Sequence, residues 1–87
     1  MDKKTYIDQY REVEKATAGM TMDEVRTYFV NSVSNDFTEG GVRYIDANYK
    51  DILVTFVGPP ETEKAEIQDD IEIYSKEGIF LGHFWID

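Results

Sequence analysis

His83, the single histidine, and the serines Ser32, Ser34 and Ser75 are the side chains of this sequence that could serve as a proton shuttle and a nucleophile. The sequence holds no cysteine. Ser32 and Ser34 fall where a helix is expected to end and Ser75 in an expected hairpin turn, with no nucleophile motif around any of them. His83 therefore reads as a structural or surface residue beside Trp85, and the chain as a protein that is not an enzyme. Asp46, Asn48 and Asp51 loosely match a calcium loop, but its glycine and its distal glutamate are missing. Asp69, Asp70 and Glu72 are merely close in sequence, and a solvated acidic edge is the expected reading. No metal and no cofactor are expected.

The strongest chemical feature is an acidic run, Glu61, Glu63, Glu66, Asp69, Asp70, Glu72 and Glu77, set against only two bases, Lys64 and Lys76. Acids spaced along a strand and its flanking loop can offer negative charge to a basic groove, much as phosphates do. The same run also suits a soluble surface whose edge strand is guarded against aggregation. Rings such as Tyr49, Tyr74 and Trp85 would supply desolvated anchors beside the charge. The partner-binding expectation thus names Glu61, Glu63, Glu66, Asp69, Asp70, Glu72, Tyr74, Glu77 and Trp85.

The overall balance points the same way. Formal net charge is −9, from 18 Asp and Glu against 9 Lys and Arg, with eight acids to five bases over 1–41 and ten to four over 42–87. Direct binding to nucleic acid or to an anionic membrane needs a basic face that this balance makes hard to build. A helix-turn-helix reading fails for the same reason. Its second helix would offer only Arg26 against Asp23 and Glu24. The "EGG" at 39–41 reads as a turn, not a phosphate loop.

Eighty-seven residues make one domain, 1–87, because two halves could not each bury enough apolar surface. Hydrophobic residues at 41% and aromatics at 14% mark a globular chain whose rings must do much of the burial. Without cysteine, packing alone holds the fold. The opening "MDKKTYIDQY" has no apolar h-region or cleavage site, and no stretch nears the roughly twenty apolar residues of a membrane helix. A cytoplasmic location is the resulting expectation.

The elements that must position these residues follow from periodicity. Tyr6, Ile7, Tyr10, Val13 and Thr17 recur at three-and-four spacing, which predicts a helix over about 4–17 closed by Gly19. Thr21 and Glu24 form a capping box with Met20 and Val25 as its hydrophobic staple. The stripe Val25, Tyr28, Phe29, Val33 then extends this second helix over about 22–33, with "SND" at 34–36 ending it. From residue 42 the period becomes two. Strands are expected over about 42–47, 51–57, 70–75 and 79–86, with a turn near "DANYKD" and a hairpin through Lys76, Glu77 and Gly78. The strand "ILVTFV" is apolar on both faces and belongs in the centre, and the prolines Pro59 and Pro60 stop it. In the last strand Ile79, Leu81, His83 and Trp85 point one way, Phe80, Phe84 and Ile86 the other. The fold class is α+β, two N-terminal helices packed on a three- or four-stranded antiparallel sheet.

Residues 18–29, "AGMTMDEVRTYF", resemble the G-M-T-x-x-E-V opening of the second helix in the SmpA/OmlA (BamE-like) modules. The resemblance implies a helix-helix-sheet layout. The family's L-G-x-P continuation is replaced by Val30, Asn31, Ser32 and Val33, and no residue is carried over as functional. In general style, small size, strong negative charge and rigid aromatic content are similar to phage-borne anti-defence proteins such as anti-CRISPR or anti-restriction factors. The functional expectation is a non-enzymatic inhibitor that occupies the nucleic-acid-binding groove of a basic protein partner. The alternative is a generic interaction module, or one that self-associates as a homodimer, with its charge serving solubility.

Overall fold

The computed structural model describes the backbone of residues 3–60 and 70–83, and the side chains of all of these except residues 3 and 83. Helix α1 (Lys3–Thr17) buries Tyr10, Val13 and Thr17 on one stripe, as the spacing predicts. Its last turn closes when the Thr17 hydroxyl donates to the Val13 carbonyl at 2.9 Å and the Met20 N–H donates to the Thr17 carbonyl at 3.0 Å. Gly19 takes φ +80 there, a left-handed conformation that costs glycine nothing.

Helix α2 (Met22–Tyr28) starts on the complete capping box: Thr21 Oγ1 accepts from the Glu24 N–H at 3.2 Å, and Glu24 Oε1 from the Thr21 N–H at 2.8 Å. Its end corrects the expected boundary. Phe29 leaves the helix at φ −103, ψ 28, and the N–H groups of Ser32 and Val33 both return to its carbonyl, at 2.7 and 3.0 Å. The residues that follow, Val30, Asn31, Ser32 and Val33, are poor helix formers. Val33 belongs to a strand rather than to the helical stripe, and Tyr28, expected on that stripe, is 54% exposed.

Five strands follow among the described residues, not three or four: β1 (Val33–Glu39), β2 (Val42–Tyr49), β3 (Ile52–Gly58), β4 (Asp70–Ser75) and β5 (Phe80–His83). They form one antiparallel sheet in chain order, which puts β3 at its centre. The extra strand is β1, and the "SND" read as a helix stop lies inside it. Gly40 and Gly41, both at positive φ, turn β1 into β2. Strand β2 outlasts its expected end at 47, because Asn48 and Tyr49 still pair with Leu53 and Ile52, so the turn tightens onto Lys50 and Asp51. The expected continuation of the last strand over 84–86 lies outside the described residues.

Both helices pack on one face of the sheet. The core joins Tyr10, Val13, Met22, Val25 and Phe29 to Ile45, Ala47, Ile52, Val54, Phe56 and Ile73. Burial strictly alternates along β3, with Ile52, Val54 and Phe56 under the helices and Leu53, Thr55 and Val57 on the opposite side. No helix among the described residues is long and apolar enough to cross a membrane.

Two polar clamps hold α1 to the β2–β3 turn. Gln9, only 7% exposed, donates through Nε2 to Asp51 Oδ2 at 2.8 Å and accepts the Asp51 N–H at 3.0 Å. Glu12 Oε1 accepts from Tyr49 Oη at 2.7 Å and Lys50 Nζ at 2.8 Å. Removing the first clamp by Gln9→Ala breaks both bonds to Asp51, whose exposed turn is then rehydrated, an expected loss of about 1 kcal/mol in urea unfolding. Gln9→Glu, which keeps the acceptor but sets a carboxylate against Asp51, is expected to lose at least as much.

Candidate functional site

The face of the sheet opposite the helices carries the residues left over from the core. Strand register aligns them in rows, and cross-strand neighbours on one face lie close enough to interact. One row runs Phe37, Tyr44, Val57, Asp70. The middle row runs Asn35, Asp46, Thr55, Glu72. The third runs Asn48, Leu53, Tyr74, Phe80. Aromatic pairs therefore stand at opposite corners of a polar middle row. The Phe37 and Tyr44 rings stack with centroids 5.0 Å apart and planes 20° apart, and Tyr74 and Phe80 lie 5.4 Å apart at 59°. Between the corners is a shallow depression of about 310 Å³ with Leu53 and Thr55 in its floor.

Each carboxylate of the middle row is oriented by a neutral hydroxyl. Thr55 Oγ1 donates to Asp46 Oδ1 at 2.6 Å, and Tyr74 Oη donates to Glu72 Oε1 at 3.0 Å. Burial, followed by this bond to Glu72, raises the Tyr74 phenol above its ordinary value and keeps it a neutral donor. Neither hydroxyl neutralises the charge that it orients. Ion pairing occurs elsewhere: Lys4 with Asp8, Lys50 with Glu12, Arg26 with Asp36, and Arg43 with both Asp23 and Asp36. None of these ion pairs among the described residues draws on Asp46, Glu72 or Glu77. Lys76 bonds Asn48 Oδ1 at 3.0 Å, at the end of the face next to the β4–β5 turn.

Of the residues expected to bind a partner, Asp70, Glu72 and Tyr74 share this face, since alternate positions of one strand point the same way. Glu77 is exposed in the β4–β5 turn, beyond the third row. That turn is organised by the Ser75 hydroxyl, which accepts from the N–H groups of Glu77 and Ile79. Glu61, Glu63, Glu66, Asp69 and Trp85 lie outside the described residues, as does the His83 side chain, although the His83 backbone pairs with Glu72. Tyr49, expected as an exposed anchor, instead packs on the core and edge-on to Phe29 at 6.5 Å.

The loose calcium-like set does not converge. Asp46 bonds Thr55, Asn48 bonds Lys76, and Asp51 turns toward Gln9. The sequence did not single out Phe37, Tyr44, Leu53 or Phe80 as a site, and it raised Asp46 only within the loose calcium-like set. A usable signal was present in β2, where Tyr44, Asp46 and Asn48 alternate with the apolar Ile45 and Ala47. The helix-helix-sheet order implied by residues 18–29 is the order observed, and the matched residues are those of the capping box and its staple. No family model, curated protein or solved structure matches this chain significantly.

Proposed function

We propose that this chain is a non-enzymatic binding protein that engages a basic, nucleic-acid-binding protein partner through the face of its sheet opposite α1 and α2. The observation that carries the reading is the meeting on one face of Asp46, Asp70 and Glu72 with two ring pairs, away from the arginines paired on the helix side. Negative potential on a rigid aromatic surface supplies attraction and desolvated contact together. A groove built to hold phosphates presents the complementary charge, so occupying it would exclude nucleic acid. An inhibitor of the anti-CRISPR or anti-restriction type works in this way. The rigid sheet also favours a binder, because its residues are presented without a loop that must order first.

The test is capture of purified basic nucleic-acid-binding domains by the immobilised chain. Binding is expected to fall at least about tenfold between about 50 and 300 mM salt and to be displaced by competing nucleic acid. Converting Asp46, Asp70 and Glu72 together to lysine, or to Asn, Asn and Gln, is expected to abolish it. Undiminished capture by either variant, with its unfolding midpoint unchanged, would remove the reading.

A further inference from the structure

The geometry points to the depression between the ring pairs as a socket for one arginine side chain of the partner, with the guanidinium between Asp46 and Glu72 and its plane against Tyr44 or Tyr74. This rests on the basic-partner reading above and specifies the group that the face takes. Asp46 and Glu72 are separated by the single strand β3 and both register on Thr55. Their backbones thus stand two strand spacings apart, about 9.5 Å. The Thr55 side chain stands between them, so a planar cation lying over Thr55 would have a carboxylate on either side to accept its hydrogen bonds. The gap is wide for a single ammonium, which would settle on one carboxylate and stay hydrated there.

Three features favour the guanidinium. Thr55 and Tyr74 each donate to one oxygen of the flanking carboxylates, which aims both acids without cancelling their charge. Tyr44 and Tyr74 border the depression at diagonal corners, so a flat cation lying over Thr55 has an aromatic ring beside it on either side. The floor of Leu53 and Thr55 can accept the aliphatic stem, which an arginine lays along apolar surface while its head remains bonded. Phe37 and Phe80, at 41% and 51% exposure, buttress the two tyrosines from outside.

The test titrates the whole chain with two capped, charge-matched peptides, (Gly-Arg)4 and (Gly-Lys)4, at low salt, by calorimetry and by amide shift mapping. The arginine peptide is expected to bind at least about fivefold more tightly, with the largest shifts at Asp46, Thr55, Glu72 and Tyr74. Glu72→Gln is expected to weaken it about tenfold, and Tyr44→Leu together with Tyr74→Leu, which keep the face apolar, to bring the two peptides to equal affinity. Equal affinities for the unaltered chain would overturn the socket and leave the basic-partner reading standing, since that reading needs charge alone. Binding of neither peptide would also overturn the socket, with the basic-partner reading then decided separately by the charge-reversal experiment. A neutral oligosaccharide such as cellohexaose shifting the same amides more strongly than the arginine peptide would overturn it as well.

Discussion

Phe56→Ala is expected to cost about 3–5 kcal/mol and to leave a chain that unfolds at low urea or fails to fold at room temperature. A domain of this size holds only roughly 4–13 kcal/mol in total, so one ring can decide the outcome. Phe56 is fully buried at the middle of the central strand, between Ile45 on β2 and Ile71 on β4. Its ring lies 5.5 Å from that of Phe29, the residue through which the end of α2 reaches the sheet. Alanine there opens a cavity under the helix and removes the surface on which Val25 and Phe29 settle. The neighbouring change Leu53→Ala is expected to cost about 1 kcal/mol or less, since Leu53 points to the open face and is only half-buried. Equilibrium unfolding of both variants checks the contrast. Comparable losses would mean that the two faces of β3 do not differ as burial says they do.

That contrast explains which parts of the molecule were legible beforehand. The alternation of Ile52, Val54 and Phe56 with Leu53, Thr55 and Val57 is visible in the letters, and so is the capping box at Thr21 and Glu24, because each depends on neighbours a few residues away. Strand β1 was not legible. Its residues Ser34, Asn35, Asp36, Thr38 and Glu39 have no apolar alternation, and only pairing with β2 makes them a strand. The candidate site shows the same division. Asp70, Glu72 and Tyr74 could be placed on one face from their spacing, as residues of one strand. Phe37, Tyr44 and Asp46 join them only through register across three further strands, a long-range fact that no local pattern carries. Tyr49 was misjudged because a tyrosine beside a turn gives no sign that Glu12, 37 residues earlier, will receive its hydroxyl.

Arg43→Ala is the second substitution with a large expected effect, about 2 kcal/mol, and it connects the scaffold to the site. The Arg43 side chain is 14% exposed and grips Asp36 with two donors, Nε at 2.9 Å and Nη2 at 2.8 Å, while Nη1 reaches Asp23 at the start of α2. It thereby ties the edge strand β1 to β2 and to the helix layer. Truncation leaves the Asp36 carboxylate, 23% exposed, with only the longer contact to the half-exposed Arg26 at 3.3 Å, and part of its desolvation goes uncompensated. The acid limb of stability carries the signature. Hydrogen bonds from the Arg43 guanidinium hold the Asp36 carboxyl below its ordinary value. A carboxyl lowered by folding stabilises the protein above its unfolded value of about 3.9, and this contribution is lost as pH falls through the folded one. The difference in unfolding free energy between the parent and Arg43→Ala is therefore expected to be full at pH 5–7 and to shrink steadily below about pH 4. Glu12, lowered by its bonds from Lys50 and Tyr49, keeps a residual acid slope in both proteins. A difference independent of pH would assign the loss to the packing of the arginine stem instead. Because Asp36 and Phe37 are adjacent on β1, releasing the latch also frees the strand that holds the Phe37–Tyr44 stack. If that face binds as proposed, Arg43→Ala is expected to weaken the salt-dependent capture from the far side of the sheet, without altering a residue of the proposed face.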